Sequence, residues 1–401
     1  MADEVKEFEA HQRDLSRRLQ LDSATRTDLD RRRAEERAKA YALINGVDAF
    51  VVGLTDTVKR VVMGLLSDGQ VKPGKAVCGH ILLEAVPGTA KTLISETLAK
   101  LVNLKFSRIQ MDADKRPSDI IGFYEQQDGT GKLEFTKGPI FANVVLIDEV
   151  NRARPEVKGA LLQAMAEREV TVDNVTHELE EPFFVLANQN PIEQEGTFPL
   201  IEAELDRLIA KIRLDYISRA EEIDMVRRVG HFATREVLRV SGLDRGRLVA
   251  IRTFIRESTY VDPHIVAYAV DLVRATRPEA PQHAACLPDL IVDGRSVVRV
   301  GAGPRASIFL VNFAKTEAFL SGGEQSAGRD HVRSVDVRAV AFDVLNHRLV
   351  IDDIVESMIV GKRPVRYLNG RLEVDGERVL RNRHELLVQV IRRILRGVRV
   401  P

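Results

Sequence analysis

The hydrophobic positions follow two patterns, short apolar runs up to about residue 216 and helical periodicity beyond it. Three runs are typical of buried strands: HILLE, ANVVLIDEV and PFFVLANQNP. The segment KTLISETLAKL follows the first run and places Ile94, Leu98 and Leu101 at helical spacing. Strands that alternate with helices in this way predict a parallel sheet with helices on both faces. The pattern therefore indicates an α/β domain followed by an all-α domain.

Two stretches interrupt the α/β alternation. YEQQDGTGKLEFTKGPIF is rich in glycine and turn residues, which favours a β-type insert. REVTVDNVTHEL alternates apolar and polar residues around Asp173–Asn174, which predicts a hairpin. Both stretches leave the parallel sheet itself unchanged.

The same patterns divide the chain into four segments. Residues 1–45 alternate charges densely and have few apolar positions before Tyr41, so we expect exposed helical packaging or an arm for a partner. Residues 46–216 are the α/β core and 217–350 the helical domain. Residues 351–401 contain two turn pairs, Asn369–Gly370 and Asp375–Gly376, which predict a small β-meander.

The chain ends in ELLVQVIRRILRGVRV, a predicted basic amphipathic helix. Arg392, Arg396 and Arg399 fall on one helical face. A solvated face or a contact between subunits is the favoured interpretation, and attachment to nucleic acid or a membrane is the alternative.

Composition excludes several classes of protein. Lys plus Arg equals Asp plus Glu at 59 each, so no overall field favours nucleic acid or an anionic membrane. Cys78 and Cys286 lie far apart and match no metal spacing, which predicts reduced, buried thiols. The charged N-terminus does not resemble a signal peptide, and no run has the length of a membrane span. We expect a soluble, cytoplasmic protein. The nine histidines form no ligand cluster, and we interpret His80 and His347 as structural.

The segment AVPGTAKT nearly fits the phosphate-binding pattern G-x-x-x-x-G-K-[ST], with Ala85 and Ala90 in place of both glycines. Such a loop aims backbone N–H groups at phosphates from a helix N-terminus. Pro87–Gly88 fits a turn with positive φ at Gly88. We expect negative φ at Ala90, which would suit alanine, and regard Ala85 as the larger departure. Lys91 and Thr92 keep the ammonium for the outer phosphates and the hydroxyl for Mg²⁺.

The run VVLIDEV delivers Asp148 and Glu149 to the carboxyl end of a strand, where open α/β sheets bind ligands. Asp148 would hold Mg²⁺ and its waters, and Glu149 would polarise the attacking water. Solvated carboxylates at a strand end are the alternative for this pair taken alone. Together with the phosphate loop, the pair predicts a P-loop nucleotide hydrolase.

Four further side chains are candidates for the same site. Asn188 and Asn190 follow the third apolar run, and either amide could orient the attacking water, although an Asn-Pro turn would also explain them. Arg207 could enter a neighbouring subunit's site as an arginine finger, or pair with Asp206 or Glu204. Arg305 lies in the first turn of a helix, where a cation requires an anionic partner such as nucleotide phosphates or a carboxylate.

Long segments of the sequence resemble the MoxR family of AAA+ ATPases over about residues 51–350: LLEAVPGTAKT, GPIFANVVLIDEVNRARPEVKGALLQAMAEREVTV, ANQNPIEQEGTFPLIEAELDRL and GAGPRAS with HRLV. The resemblance implies Walker B residues Asp148 and Glu149, sensor 1 at Asn190, an arginine finger at Arg207 and sensor 2 at Arg305, with Arg152 as another candidate for the finger. It also implies a nucleotide-binding Walker A loop formed by Ala85, Val86, Pro87, Gly88, Thr89, Ala90, Lys91, Thr92 and Leu93. The two interrupting stretches resemble the helix-2 insert and the hairpin before sensor 1. The family usually has glycine at the position of Ala85 and more often threonine at that of Asn188.

The resemblance implies a ring, expected to be hexameric, that binds ATP and Mg²⁺ and remodels partner proteins, often ones with a von Willebrand factor A domain. Catalysis would use Lys91, Glu149, Asn190 and Arg207, with Thr92 and Asp148 at the metal. Two alternatives are a nucleotide switch that does not hydrolyse ATP and a DNA-stimulated motor. The balanced charge and the lack of a recognisable DNA-binding module count against the motor.

Overall fold

The computed structural model describes residues 23–69, 77–86, 88–126, 132–190, 196–232, 240, 242–288, 291–292, 295–324, 326, 328–360, 365–368, 371–374 and 382–401. The described helices are α1 (Ser23–Asp48), α2 (Thr55–Leu66), α3 (Lys91–Leu101), α4 (Ser118–Ile121), α5 (Pro155–Glu167), α6 (Glu202–Leu205), α7 (Arg219–Phe232), α8 (Arg245–Ser258), α9 (Pro263–Arg274), α10 (Pro281–Cys286), α11 (Arg305–Leu320), α12 (Ser334–Leu345), α13 (Asp353–Ile359) and α14 (Arg383–Gly397). The described strands are β1 (Ile81–Ala85), β2 (Phe106–Gln110), β3 (Gly122–Gln126), β4 (Leu133–Lys137), β5 (Val144–Asp148), β6 (Glu169–Val172), β7 (Val175–Glu178), β8 (Phe184–Gln189), β9 (Ala210–Leu214), β10 (Ile291–Val292), β11 (Arg295–Ser296), β12 (Val298–Val300), β13 (Val350–Ile351), β14 (Val365–Leu368) and β15 (Arg371–Val374).

A five-stranded parallel sheet in the order β2-β5-β8-β1-β9 forms the centre of the α/β part. The three predicted apolar runs are β1, β5 and β8, and they are neighbours in this sheet. Register pairs Leu83 with Asn188 and Ile147 with Ala187. The carboxyl ends of these strands therefore meet at one edge, and the loops that follow them converge there.

Alternate residues of each strand enter different cores, as the period of two requires. Leu146 and Leu186 belong to a large core that also contains Ile94, Leu98 and Leu101 of α3. Ile147 and Ala187 belong to a smaller core on the other face, under α5. The helices on both faces confirm the predicted layered architecture.

Both interrupting stretches form antiparallel hairpins; the first was predicted only as a β-type insert and the second as a hairpin. β3 pairs with β4 and β6 pairs with β7, each antiparallel. Asp173 and Asn174 have φ of 47° and 64°, the left-handed values that a tight hairpin turn requires. His177 of β7 stacks on Phe135 of β4 with ring centroids 3.8 Å apart, which joins the two hairpins.

The C-terminal half is built mainly from α8, α9, α11 and α12, with short strands that its helical periodicity did not reveal. β10 pairs with β11, and β12 pairs with β13, so that Val300 lies opposite Val350 although the two are far apart in the sequence. β13 thus ties the segment after residue 350 back onto the helical part.

The N-terminal segment differs from its prediction. Residues 23–48 form α1 as a helix, but Ala40, Leu43, Ile44 and Val47 are buried in the large core. Arg37 is 1% exposed and donates to the carbonyl oxygens of Phe319, Leu320, Ser321, Gly323 and Ser326, at the C-terminal end of α11. Burial lowers the pKa of its guanidinium. A cation that donates hydrogen bonds to the last carbonyls of a helix also complements the helix dipole. α1 is therefore a packed helix despite its many charged residues.

The C-terminal predictions are only partly within the described residues. β14 and β15 pair antiparallel, and the two predicted turns, at Asn369–Gly370 and Asp375–Gly376, lie outside the described residues. α14 buries Leu386, Val390, Ile391 and Ile394, and Arg392 and Arg396 are exposed. Arg399 is exposed but lies beyond the end of α14 at Gly397, so it does not share their helical face.

Buried polar side chains support the structural interpretation of His80 and the cysteines. His80 accepts from the Val185 amide at Nδ1, 3.0 Å away, and its Nε2 lies 2.9 Å from the Met165 carbonyl oxygen. Burial lowers the pKa of His80 to about 4. Cys78 and Cys286 are both buried free thiols. Among the described residues, no helix is both long and apolar enough to cross a bilayer.

Candidate nucleotide site

The phosphate loop connects β1 to α3 at the carboxyl edge of the sheet. Gly88 has φ of 84°, as predicted, and a Cβ placed there would meet nothing within 4 Å. The Thr89 hydroxyl donates to the Val86 carbonyl oxygen at 2.8 Å, which closes the loop on itself. Pro87 lies outside the described residues. Residues with positive φ turn successive N–H groups toward one concavity, the geometry that binds phosphate.

The prediction for Ala90 is wrong. It has φ of 56° and ψ of 18°, in the left-handed region, directly before the first residue of α3. The chain reverses here between the loop and the helix, and a left-handed residue makes that reversal. An L-residue in this region costs roughly 1–2 kcal/mol because its Cβ crowds the following carbonyl oxygen. Ala85, by contrast, lies in extended backbone at the end of β1. Ala90 is therefore the strained substitution, and Ala85 is the mild one.

The side chains that follow the loop occupy the first turn of α3. The Lys91 ammonium lies 3.4 Å from the Ala85 carbonyl oxygen and 3.3 Å from that of Val86, so it spans the loop. Thr92 is half-buried and Leu93 is 41% exposed. The role of Lys91 at an outer phosphate stays a prediction.

Asp148 ends β5; its side chain is 12% exposed and both carboxylate oxygens are hydrogen-bonded. Asn188 Nδ2 donates to Oδ1 at 2.5 Å, and the Arg108 guanidinium donates to Oδ2 at 2.6 Å. Arg108 lies on β2, where its Cα pairs with Leu146, two residues before Asp148 on the same face. Sequence reasoning missed Arg108. The signal was a cation in a short strand, which gains meaning only once β2 is known to neighbour β5.

Glu149 follows directly and also has a left-handed backbone, with φ of 54°. Its Oε2 lies 2.8 Å from Nε of Arg152, three residues later, and both side chains are partly exposed. Non-glycine residues in this region concentrate at functional sites. Arg152, the second candidate for the finger, thus contacts the predicted catalytic carboxylate of its own chain.

The two candidate amides differ in position. Asn188 is fully buried on β8 and donates to Asp148, while its own Oδ1 has no hydrogen-bond partner among the residues that the structure describes. Asn190 follows β8 and is 7% exposed. The structure thus brings Asn188 together with Asp148 and Arg108. The proposal that Asn190 orients the attacking water stays a prediction.

Two arginines from the C-terminal half of the chain, Arg305 and Arg348, converge on Asp206. Arg305 opens α11 and lies 3.6 Å from Asp206, so its anionic partner within the chain is a carboxylate. Arg348, 6% exposed, approaches the other oxygen of Asp206 at 3.2 Å and also donates to the Leu208 carbonyl oxygen. Burial lowers the pKa of Arg348 to about 10. Sequence reasoning missed Arg348, although the HRLV segment contains it.

Arg207 itself donates to the Leu162 carbonyl oxygen of α5 at 2.9 Å. The two carboxylates that were predicted as its alternatives are paired with other cations, Asp206 with Arg305 and Arg348, and Glu204 with Lys158 at 3.6 Å. The finger candidate is thus folded onto its own chain, in the same turn that contacts Arg305 and Arg348.

The oxygen donors at this edge fit magnesium. A hydroxyl in the first turn of α3, at Thr92, and the carboxylate of Asp148 are the ligand types that Mg²⁺ prefers, directly or through waters. No group of three or more His, Cys, Asp or Glu side chains in the described part of the chain could hold a metal alone.

Comparison with known proteins agrees with the geometry. Residues 80–210 match the ATPase family associated with various cellular activities (AAA), and residues 295–363 match the AAA lid domain. The chain is 37% identical over 324 residues to Chaperone MoxR1 of Mycobacterium tuberculosis, covering 79% of this chain and 78% of that protein. It is 31% identical over 288 residues to Protein MoxR of Methylorubrum extorquens, covering 69% and 80%.

A solved structure gives the same picture. A protein of Cytophaga hutchinsonii, whose crystal structure has a resolution of 2.00 Å, superposes with a TM-score of 0.72 at 34% identity. The match covers 92% of this chain and 98% of that one. The α/β part and the helical part therefore correspond to an ATPase domain and a lid domain.

Proposed function

Because the chain belongs to the MoxR family of AAA+ ATPases, we propose that it hydrolyses ATP in a ring and remodels partner proteins as a chaperone. One observation carries the proposal. The phosphate loop of β1 and the Asp148–Glu149 pair of β5 lie on either side of β8 at the carboxyl edge of one parallel sheet. Nucleotide phosphates that bind the loop would then lie beside the carboxylates.

The residues at this edge perform separate tasks in the proposed reaction. Lys91 neutralises the outer phosphates, and Glu149 accepts a proton from the water that attacks the γ-phosphorus. Asn190 orients that water. Thr92 and Asp148 would hold Mg²⁺, which when bound shields the negative charge of the phosphates.

Arg207 completes the site of a neighbouring subunit in this proposal. To do so it leaves the Leu162 carbonyl, a neutral contact that costs little to exchange for a phosphate. Arg305 reaches the phosphates from the lid and exchanges a 3.6 Å contact with Asp206. We propose a cytoplasmic hexamer whose partner is a protein, with a von Willebrand factor A domain as the first class to examine.

Steady-state ATP hydrolysis across a wide range of protein concentration tests the ring. We expect specific activity to rise with concentration, and Glu149→Gln to bind ATP without hydrolysing it. Tight ATP binding with negligible turnover at every concentration would instead support a nucleotide switch, and stimulation by DNA would support the motor.

Mixing experiments separate the two arginines. Arg207→Ala mixed with Lys91→Ala should regain part of the activity, because the second variant supplies an intact finger to the intact site of the first. Arg152→Ala in the same mixture should not recover, since its contact with Glu149 lies within one chain. Rescue of Arg152→Ala but not of Arg207→Ala would reverse the assignment.

A further inference from the structure

We propose that Arg108 competes with the metal for Asp148, so that the nucleotide-free site keeps its carboxylate neutralised and releases the metal readily. The inference rests on the proposed function, because it concerns the same metal site. It assigns a role to a residue that neither the P-loop pattern nor the strand-end carboxylates indicate.

The first step is that the Asp148 carboxylate is already satisfied. Its two oxygens accept from Asn188 at 2.5 Å and from Arg108 at 2.6 Å. The carboxylate is nearly buried, whereas the Arg108 side chain is 48% exposed. Asn188 is packed in the sheet and fixed, but Arg108 reaches the carboxylate from solvent and can leave.

The second step concerns charge. A divalent ion or its waters near Asp148 would meet a guanidinium at hydrogen-bond distance from the same oxygen. Like charges so placed repel, and the charge-assisted Arg108–Asp148 bond is given up or shared when the ion arrives. Both effects lower the affinity of the site for the ion and leave the binding of phosphate by the loop unchanged.

The third step is that Arg108 has little else to hold it. Within the described part of the chain, its other side-chain hydrogen bond is to Gln110 Oε1 at 3.1 Å, on the same strand. Arg108 can therefore return to Asp148 as the metal departs with the product. The arrangement favours an empty, neutralised carboxylate between turnovers.

The test measures nucleotide binding with and without metal and requires no hydrolysis. A fluorescently labelled ADP is titrated with the full-length protein in EDTA and in Mg²⁺, and the ratio of the two dissociation constants reports how strongly the metal contributes. For Arg108→Gln we expect binding in EDTA to match the native protein within a factor of two. The gain from Mg²⁺ should rise about five-fold, the size that loss of a partly exposed ion pair allows.

Matched variants isolate the contact. Arg108→Lys keeps the charge and should resemble the native protein. Arg116→Gln, an exposed arginine after β2, removes the same charge from the region without touching Asp148 and should also have no effect. Asp148→Asn combined with Arg108→Gln should show the same small gain from Mg²⁺ as Asp148→Asn alone, since the effect acts through that carboxylate.

Other outcomes overturn the proposal in distinguishable ways. Weaker ADP binding by Arg108→Gln in EDTA would make Arg108 a phosphate ligand. An unchanged gain from Mg²⁺ with normal ADP binding would remove the competition but leave the proposed function intact. A native protein that binds no nucleotide in either condition would refute the proposed function and this role together.

Discussion

The left-handed alanine before α3 leads to a prediction with a definite sign. Replacing Ala90 by glycine removes the Cβ from a residue with φ of 56°. Removing the Cβ relieves backbone strain in the folded state by roughly 1–2 kcal/mol. Glycine also has more conformational freedom in the unfolded chain, which offsets about 0.5–1 kcal/mol of this stabilisation. We expect Ala90→Gly to raise the free energy of unfolding by about 0.5–1 kcal/mol.

Ala85 provides the matched control. It ends a buried strand with extended backbone and is 1% exposed, so glycine there relieves no strain and removes a buried methyl group. Ala85→Gly should lower the free energy of unfolding by about 1–2 kcal/mol. The same chemical change, five residues apart, should therefore have opposite effects.

The assay is urea-induced unfolding of both variants without nucleotide, followed by circular dichroism, with the slope of the transition checked for constancy. A labelled ATP analogue then reports affinity, which should be unchanged or tighter for Ala90→Gly because a methyl group leaves the loop. Equal destabilisation by both substitutions would refute the argument, since it would mean that the loop bears no strain at Ala90.

Three further predictions follow from buried charge and from the paired hairpins. Burial raises the pKa of Asp343 to about 6, partly offset by Arg60, so stability from this group is present at low pH and lost as pH rises through 6. The free energy of unfolding of the native protein should gain about 1.3 kcal/mol from this group between pH 7 and pH 5, and Asp343→Asn should lack that gain. A variant that shows the same gain as the native protein would contradict the prediction. Arg37→Met leaves the carbonyls at the end of α11 without their donor and should lower stability by about 3–5 kcal/mol in urea unfolding, with Arg31→Met, on the exposed face, as the control. His177→Leu removes the stacking that joins the hairpins. It should lower the free energy of unfolding by about 1 kcal/mol and speed limited proteolysis at the hairpins. Identical cleavage rates in the variant and the native protein would show that the hairpins do not support each other.

The sequence was sufficient for three strands of the central sheet, because these three are continuous apolar runs, whereas β2 and β9 mix apolar with charged residues and were not predicted. β1, β5 and β8 are buried on both faces, so their hydrophobicity alone identified them and the carboxylates that follow. Hairpin turns were also predictable, since Asp173–Asn174 has the chemistry that a tight turn requires. Local patterns therefore gave the elements and the ends from which the site is built.

Relationships between distant residues could not be read in the same way. The contact of Arg108 with Asp148 depends on which strand lies beside β5, and that of Arg348 with Asp206 depends on how the lid meets the sheet. The φ of Ala90 was mispredicted because a helix boundary was placed one residue early. α1 was mispredicted because a buried arginine looks identical, in a sequence, to an exposed one.

The helix α1 connects the far ends of two other helices. Near its C-terminal end, Gly46 lies against Leu101, the last residue of α3, so closely that a Cβ would approach a Leu101 methyl carbon to 2.9 Å. Near its middle, Arg37 holds the last carbonyls of α11. α3 begins with Lys91 and α11 begins with Arg305, so α1 links the C-terminal ends of the two helices whose N-terminal ends carry these candidate site residues. Any rotation of α11 that withdrew Arg305 would therefore have to carry α1 with it or strain the contact of α1 with the helix that follows the phosphate loop.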